Sequence, residues 1–460
     1  MSQTRNRKPY THVMETIGWT PMIRLNRVVD EARTPVLGKA EFFNPGGSLK
    51  DRIGLAIIEA AEREGRLRPG GTIVEGTSGN TGIGLAIAAA TRGYRCVFTM
   101  PDKMSQEKVR LLKAFGGEVI ITPTAVAPDH PDNYVQTARR IVEETPGAIL
   151  ANQFYNQENP RAHYDTTGPE IWEQTEGRVT HFVASAGTGG TLTGVGRFLK
   201  EKNPVIRIIA GDPVGSIYGE YHESHTKGEG HPYKVEGIGG DKIPDTLDFD
   251  VIDEFHSISD RDAFRYARRL TREEGLFVGG SSGLNVALAV RTAKEVDDPD
   301  ALIVTILGDT GERYLSKLYN DEWLRENRLL DPERLTAGDM AARKDGSAKL
   351  VSVSPDATTR EALGLITSHD ISQLPVCVGD ECVGSLSESS LMVRVIEDPT
   401  ILERPVREFM DDALPCIDAG VSLTGVGRLL SRQTPAVLVR EGGRLAGIVT
   451  RYDVVRYLTA

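Results

Sequence analysis

Through the first two-thirds of the chain, apolar positions fall into short unbroken runs that alternate with longer amphipathic stretches. Runs at 72–75, 97–100 and 118–121 precede helical patterns at 83–91, 106–115 and 134–144. The alternation resumes with a run at 180–184 before a helix at 192–200. It continues through a run at 207–211, helices at 260–274 and 284–294, and an apolar run at 302–307. Short apolar runs of this kind suit strands buried on both faces. The order predicts an α/β fold with open, mostly parallel sheet and helices on both sides.

Near Leu330 the pattern breaks. Residues 331–349 are polar and lack a long apolar run, and beyond them the chain repeats itself. Pro375-Val376-Cys377-Val378 with Gly384-Ser385-Leu386-Ser387 matches Pro435-Ala436-Val437-Leu438-Val439 with Gly447-Ile448-Val449-Thr450. Each pair reads as a hairpin. Asp339-Met340 ahead of Val351-Ser352-Val353 likewise echoes Phe409-Met410 ahead of Pro415-Cys416-Ile417. Two small α/β units of roughly 60 residues, paired to complete one core, are expected there. The expected organisation is a large domain over 1–330, a linker over 331–349, and repeats over 350–398 and 399–460.

Composition narrows the partners. The 460 residues carry 54 Lys and Arg against 65 Asp and Glu, a formal charge of −11, with no basic block. Neither nucleic acid nor an anionic membrane is a natural partner for such a chain, and small molecules fit better. Cys96, Cys377, Cys382 and Cys416 are too scattered for a disulfide framework or a zinc site, so no metal is expected. Cys377 and Cys382 flank the Gly379-Asp380 turn, where hairpin packing accounts for them. No run is long enough to cross a bilayer, and the polar, basic start is no export signal. A cytoplasmic location is expected.

Candidate chemistry begins at Asn44-Pro45-Gly46-Gly47-Ser48-Leu49-Lys50-Asp51-Arg52. Pro and two Gly residues impose an irregular turn, and the Ala-rich run at 53–62 places Lys50 in the first turn of a helix. The positive end of a helix disfavours a protonated amine, and a deprotonated lysine can form a Schiff base. The alternative is a solvated surface lysine beside Asp51.

Three glycine-rich loops each sit where a strand should hand over to a helix. Gly76-Thr77-Ser78-Gly79-Asn80-Thr81-Gly82 offers amides and the hydroxyls of Thr77, Ser78 and Thr81, a cradle suited to a carboxylate. Ser185-Ala186-Gly187-Thr188-Gly189-Gly190-Thr191 offers bare amides and two threonine hydroxyls, a phosphate site. Gly279-Gly280-Ser281-Ser282-Gly283 is small enough to admit a flat ligand. Neither a G-x-G-x-x-G nor a G-x-x-x-x-G-K-[ST] fingerprint is present, which weighs against dehydrogenase and P-loop readings. Any one loop could serve only a tight turn. An amine, a phosphate cradle, a carboxylate cradle and an uncharged hydroxyl loop together are what pyridoxal phosphate and an amino acid require.

Over residues 10–330 these motifs, in this order, resemble the cystathionine β-synthase and cysteine synthase family of pyridoxal-phosphate enzymes. The resemblance implies a two-lobed, tryptophan synthase β-like fold in which Lys50 holds the cofactor and Gly187, Thr188, Gly189, Gly190 and Thr191 bind its phosphate. It places Asn80 at the ring's 3′ oxygen and Ser281 at the pyridine nitrogen, with Thr77, Ser78, Thr81 and Gln153 on the substrate carboxylate. The implied activity joins serine to homocysteine by β-replacement. Glu236-Gly237-Ile238-Gly239 and Tyr314-Leu315-Ser316-Lys317 resemble the synthases, whereas Thr167-Gly168-Pro169-Glu170-Ile171-Trp172 looks more like the cysteine synthases. Phe154 and Gly240 stand where animal synthases carry tyrosines. An O-acetylserine sulfhydrylase and a serine or cysteine β-replacement enzyme releasing sulfide therefore remain alternatives. An adenine-nucleotide sensor with an inactive synthase-like part is a further one. The animal enzymes' haem-binding extension has no counterpart before Tyr10, so no haem is expected. The repeats resemble a CBS-domain pair, which implies an adenosyl ligand such as S-adenosylmethionine, held through Thr450 and Asp453 of the second repeat. A homodimer or larger homo-oligomer is also implied.

Overall fold

The computed structural model describes residues 9–30, 32–77, 79–102, 106–127, 130–330, 335–342, 350–431 and 433–459. It divides into two compact units, Met1–Leu329 and Leu330–Ala460. In chain order the strands of the first unit are β1 (Met22–Arg24), β2 (Val36–Ala40), β3 (Thr72–Gly76), β4 (Arg95–Pro101), β5 (Glu118–Thr122), β6 (Ala148–Leu150), β7 (His181–Ser185), β8 (Arg207–Pro213), β9 (Glu254–Ile258) and β10 (Ile303–Leu307). They form two sheets, ordered β5-β4-β3-β6 and β1-β2-β10-β7-β8-β9. Only the pairing of the edge strand β1 with β2 is antiparallel.

These strand orders decide where a ligand can sit. In the smaller sheet the chain runs outward from β3 through β4 to β5, and then returns to place β6 on the other side of β3. In the larger sheet it runs from β7 through β8 to β9 and returns to place β10 beside β7. Each reversal opens a crevice at the carboxyl ends of the strands, where two connections leave in opposite directions. The loop after β3 and Gln153 after β6 flank one crevice, and the loop after β7 and Gly308-Asp309 after β10 flank the other.

The glycine loops are themselves the starts of helices. Helices α1 (Lys50–Arg63), α2 (Asn80–Arg92), α3 (Gly190–Lys202) and α4 (Gly280–Val296) begin at 50, 80, 190 and 280. The apolar pattern had placed these starts at 53, 83, 192 and 284. Helical periodicity shows only once side chains become apolar, whereas first-turn amides are left free for a ligand by small residues. The start of α1 at Lys50 matches the expected first-turn lysine. The short strands β1, β2, β6 and β9 had no clear apolar signature.

Two cores hold this unit. Ile57, Ile58, Ile73, Leu85, Phe98 and Leu112 lie under the smaller sheet, and Phe182, Leu192, Val195, Ile208, Val304 and Ile306 under the larger. Helices α1 and α2 meet backbone to backbone. A Cβ on Gly54 would lie 2.5 Å from the Gly84 carbonyl carbon, and one on Gly84 would lie 2.5 Å from the Lys50 carbonyl oxygen.

In the second unit, β11 (Gln373–Val378) and β12 (Glu381–Ser387) form one hairpin. β13 (Cys416–Asp418) lies parallel to β14 (Ala436–Glu441), which forms a second hairpin with β15 (Arg444–Thr450) and leads to helix α5 (Arg451–Thr459). Cys377 and Cys382 face each other across the first hairpin. Cys382 packs with Leu350 against Leu414, Ala436 and Leu438 of the second repeat. Of the expected linker, residues 331–334 and 343–349 lie outside the described set, while Thr336 and Asp339 form a capping box on the helix Ala337–Ala341. Among the described residues no helix is long and apolar enough to cross a membrane, and no group of three acidic, Cys or His side chains is placed to hold a metal.

The contact between α1 and α2 yields a prediction. Gly84→Ala forces the backbone of Lys50 outward and should lower the unfolding free energy by about 1–3 kcal/mol. Chemical denaturation checks this, and an unchanged midpoint would show that the helices separate without cost.

Candidate active site

The residues preceding α1 are stitched to the end of β10. The Leu49 N–H donates to Gly308 O at 2.9 Å, Thr310 N–H to Gly47 O at 3.1 Å, and Ser48 forms a bridge with Asp309. On its other edge, residues 309–310 bind the third glycine loop: the Gly279 N–H donates to Asp309 O at 3.1 Å, and Val278 bridges Thr310. Ser282 Oγ accepts from the Gly308 N–H at 2.9 Å. Ser281 faces the same segment, its Oγ 3.6 Å from where a Gly308 Cβ would stand. The segments that carry Lys50 and Ser281 therefore meet through the tip of β10.

Asp309 ties in the first loop. Its Oδ2 accepts from Asn80 Nδ2 at 2.8 Å and from the Tyr314 hydroxyl at 2.7 Å, while Oδ1 is buried without a hydrogen-bond partner. Arg313 donates to Asn80 Oδ1 and to the Gly46 carbonyl, so Asn80 is gripped at both ends of its amide. Next along α2, Thr81 Oγ1 donates to Gln153 Oε1 at 2.6 Å. Thr77 is buried beside them, and its hydroxyl accepts from the Gly79 N–H at 3.2 Å. Ser78 lies outside the described residues.

Gln153 is held from behind by Glu75, which accepts from the Asn152 N–H at 2.7 Å and the Gln153 N–H at 3.4 Å. Burial pushes the Glu75 carboxyl up to about 7, against the pull of those amides. From Gln153 the network crosses to the second loop through Asn159, whose Nδ2 donates to Gln153 O and Thr188 Oγ1, both at 2.9 Å.

That second loop has no room for side chains. A Cβ on Gly187 would lie 2.6 Å from Gly237 O, and Cβ atoms on Gly189 and Gly190 would overlap Leu247 and Asn159. Gly189 also has φ +81°, a left-handed conformation favoured by glycine. The face of the loop is thus bare backbone at the start of α3, suited to an anion. The Lys50 amine completes the set. Burial pushes it down to about 8, opposed by the nearby Asp309 carboxylate. A partly deprotonated amine, a bare phosphate cradle and a hydroxyl loop fit pyridoxal phosphate.

Lys50, Asn80, Thr81, Gln153, Thr188 and Ser281 thus belong to one connected site. Asp309, Arg313, Asn159 and Glu75 carry no motif of their own in the sequence, although Asp309 follows a strand's carboxyl end, a position that marks ligand sites in such sheets. Gly240 is confined by tertiary structure. A side chain there would overlap the hydroxyl of Tyr218, which is fully buried.

In the second unit, Asp453 Oδ2 accepts from the Thr450 N–H and Oγ1, both at 2.7 Å, while Thr450 Oγ1 accepts from the Asp453 N–H at 3.3 Å. This is the cap at the start of α5. In the first repeat, Ser387 Oγ accepts from the Ser390 N–H at 3.2 Å, with no carboxylate in the pair.

Residues 13–309 match the family model described as pyridoxal-phosphate dependent enzyme, and residues 344–397 and 406–460 match CBS domains. The chain is 37% identical to cystathionine beta-synthase of Dictyostelium discoideum across 97% of this chain and 92% of that one. It is 44% identical to the mouse protein of the same name across 81% and 67%, and 35% identical to that of Saccharomyces cerevisiae across 97% of both. Among solved structures, O-ureido-L-serine synthase aligns with TM-score 0.63 and 39% identity over 69% of this chain and 99% of its own.

The buried amine has a measurable signature. In the unfolded chain Lys50 titrates near 10.5 and in the folded chain at about 8. Between those values the unfolded chain binds more protons, so Lys50 contributes a rise in stability from pH 8 to 10.5, with its penalty greatest below 8. Without bound ligand, Lys50→Met should be more stable than the parent at pH 7 by on the order of 2 kcal/mol and lose that rise. Parallel denaturation curves at pH 7 and pH 10 check this.

Proposed function

The chain belongs to the cystathionine beta-synthase family of pyridoxal-phosphate dependent enzymes, and we propose that it condenses L-serine with L-homocysteine to cystathionine and water. It is a pyridoxal-phosphate dependent lyase with a C-terminal pair of CBS domains. The observation that carries the reading is the buried Lys50 amine, held between glycine loops at the switch points of two sheets.

When bound, pyridoxal phosphate supplies an electron sink for negative charge at the α-carbon of an amino acid. Lys50 would hold the cofactor and, once freed by a substrate amine, would serve as the base for the α-proton. An amine pushed down to about 8 is partly in its basic form near neutral pH. Gly187, Thr188, Gly189, Gly190 and Thr191 would hold the phosphate through amides and hydroxyls. Asn80, fixed by Asp309 and Arg313, would contact the ring's 3′ oxygen. Ser281 would meet the ring nitrogen with a neutral hydroxyl, an environment that favours loss of a β-substituent over amino transfer. Thr77, Ser78, Thr81 and Gln153 receive the substrate carboxylate. The hydrogen bond between Thr81 and Gln153 keeps both polar ends in place until that carboxylate arrives.

Sulfide release from cysteine, or use of O-acetylserine with sulfide, is the second reading. Two observations favour keeping it. Phe154 is exposed at 38%, and the buried Tyr218 hydroxyl fills the space that a side chain at position 240 would need, so neither position carries the tyrosine of the animal synthases. Purified protein offered serine, O-acetylserine or cysteine with homocysteine or sulfide, with products identified by mass, distinguishes the readings. Cystathionine from serine is the expected main product. Lys50→Ala should lose at least about 100-fold in turnover together with the visible absorbance of the bound cofactor.

The second repeat is the proposed site of an adenosyl ligand, S-adenosylmethionine or an adenine nucleotide, with Asp453 accepting from its ribose hydroxyls. Cytoplasmic location and assembly as a homodimer or larger homo-oligomer belong to the same reading. Calorimetry should find about one strong site per chain. Asp453→Ala should abolish it and Ser390→Ala leave it intact. Because Asp453 also caps α5, helix content measured alongside separates a lost cap from a lost ligand contact.

A further inference from the structure

One buried histidine faces the second glycine loop and has no part in the chemistry described above. His163 is fully buried and opens a π-helical turn, His163–Thr167, between two short helices. Such turns are rare and recur at functional sites. The turn puts Thr167 Oγ1 2.9 Å from the ring's Nδ1. On the other side of the ring, Nε2 lies 3.2 Å from Oγ1 of Thr191, in the first turn of α3. The next turn of α3 packs against the root of this side chain, since a Cβ on Gly194 would lie 2.8 Å from the Cβ of His163.

Burial, with the positive charges of Arg52 and Lys50, pushes this imidazole down to about 3, so it is neutral at any working pH. A neutral ring has one N–H, and two arrangements are possible. With the proton on Nδ1, Thr191 spends its only proton on Nε2 and turns oxygen lone pairs toward the loop's anion. Thr167 would then have to place its own proton elsewhere, in a site without solvent. Among the described residues the Thr167 hydroxyl has no hydrogen-bond partner besides His163 Nδ1, so that proton would have no acceptor. With the proton on Nε2, the Thr167 hydroxyl donates to Nδ1, Nε2–H donates to Thr191 Oγ1, and the Thr191 proton points into the loop. Only the second arrangement places every proton and presents a donor to a dianion.

We propose that Thr167, His163 and Thr191 form a one-way hydrogen-bond relay that commits the Thr191 hydroxyl as a donor to the cofactor's phosphate. His163 is thus a positioning residue acting through Thr191. The inference rests on the reading of Gly187 to Thr191 as the phosphate loop of a pyridoxal-phosphate enzyme.

The test is cofactor binding rather than turnover. Apoprotein is titrated with pyridoxal phosphate by fluorescence, and the phosphorus resonance of the bound cofactor is recorded. Thr191→Val should weaken binding about 10- to 100-fold, the range for one hydrogen bond to a charged group. His163→Phe should weaken it similarly, and the double variant should be no weaker than either alone. His163→Gln, whose amide can still donate to Thr191, should recover most of the affinity. Thr167→Val, nearly isosteric and independent of the ring's packing, should lower affinity and shift the phosphorus resonance even if His163→Phe fails to fold. Losses that multiply in the double variant, or an unchanged affinity and resonance in Thr167→Val, overturn the relay. Failure of the parent chain to bind pyridoxal phosphate overturns the functional reading itself, which is a distinct result.

Discussion

The site depends on one buried guanidinium. Arg52 sits on the first turn of α1, two residues beyond Lys50, and is paired bidentately with two carboxylates. Its Nε and Nη2 donate to Glu41 at 2.7 and 2.8 Å, and its Nη1 and Nη2 to Glu170 at 2.6 and 2.8 Å. Lys39 adds a second positive charge, donating to Glu170 at 2.6 Å and to the Thr20 carbonyl at 2.8 Å. All four charged groups are buried, two of each sign. Burial alone would push the Glu41 carboxyl up, but Arg52 prevails and holds it at about 2. Such a cluster adds little net stability over an apolar core of the same volume, yet removing any one member strands a buried charge at a cost of about 3–5 kcal/mol. Its value is geometric. Glu41 follows β2 and Glu170 lies on a helix of the larger lobe, so the pairs orient the start of α1 from both sides.

With that helix fixed, a second constraint follows from sheet topology. Lys50 and residues 309–310 emerge beside the crevice of the larger sheet, and Thr77, Thr81 and Gln153 beside that of the smaller. Among the side chains that connect the crevices, Asp309 accepts from Asn80, and Asn159 spans Gln153 and Thr188. Both have a buried oxygen without a hydrogen-bond partner, Oδ1 in each case. Each such oxygen lies where a Cβ on Gly279 or Gly190 would intrude, which explains why glycine occupies those positions. Unmet hydrogen-bonding capacity of this kind is costly in a core and common where a ligand is to be received.

The second unit follows a different logic. The first repeat gathers Val353, Ile366, Leu374, Val376 and Leu386 into a cluster of its own, and its Leu350 and Cys382 also pack against Leu414, Ala436 and Leu438 of the second. Burial and the neighbouring Cys382 and Cys416 push the Cys377 thiol up to about 11, which makes it a packing group rather than a nucleophile. The asymmetry between Asp453 and Ser390 survives in three dimensions, because each occupies the third position after a capping residue in equivalent helices.

The sequence by itself determined the features written in consecutive residues. The βα order, the three glycine loops, the first-turn position of Lys50 and the paired hairpins depend on local backbone preference and on periodicity over a few residues. Both are readable without a fold. Helix starts were displaced to 83, 192 and 284 because glycine and hydroxyl residues carry no apolar periodicity, although they form the first helical turn at 80, 190 and 280. Tertiary structure alone decided the rest. Arg52 meets Glu170 across 118 residues, Asn80 meets Asp309 across 229, and Thr191 meets His163 across 28. Such partners leave no local signature, since a charged or polar residue reads as solvated until a fold removes the water around it. The physical reason is burial: desolvation moves the Lys50 amine from 10.5 to about 8, and it exists only once the two sheets have closed around the lysine.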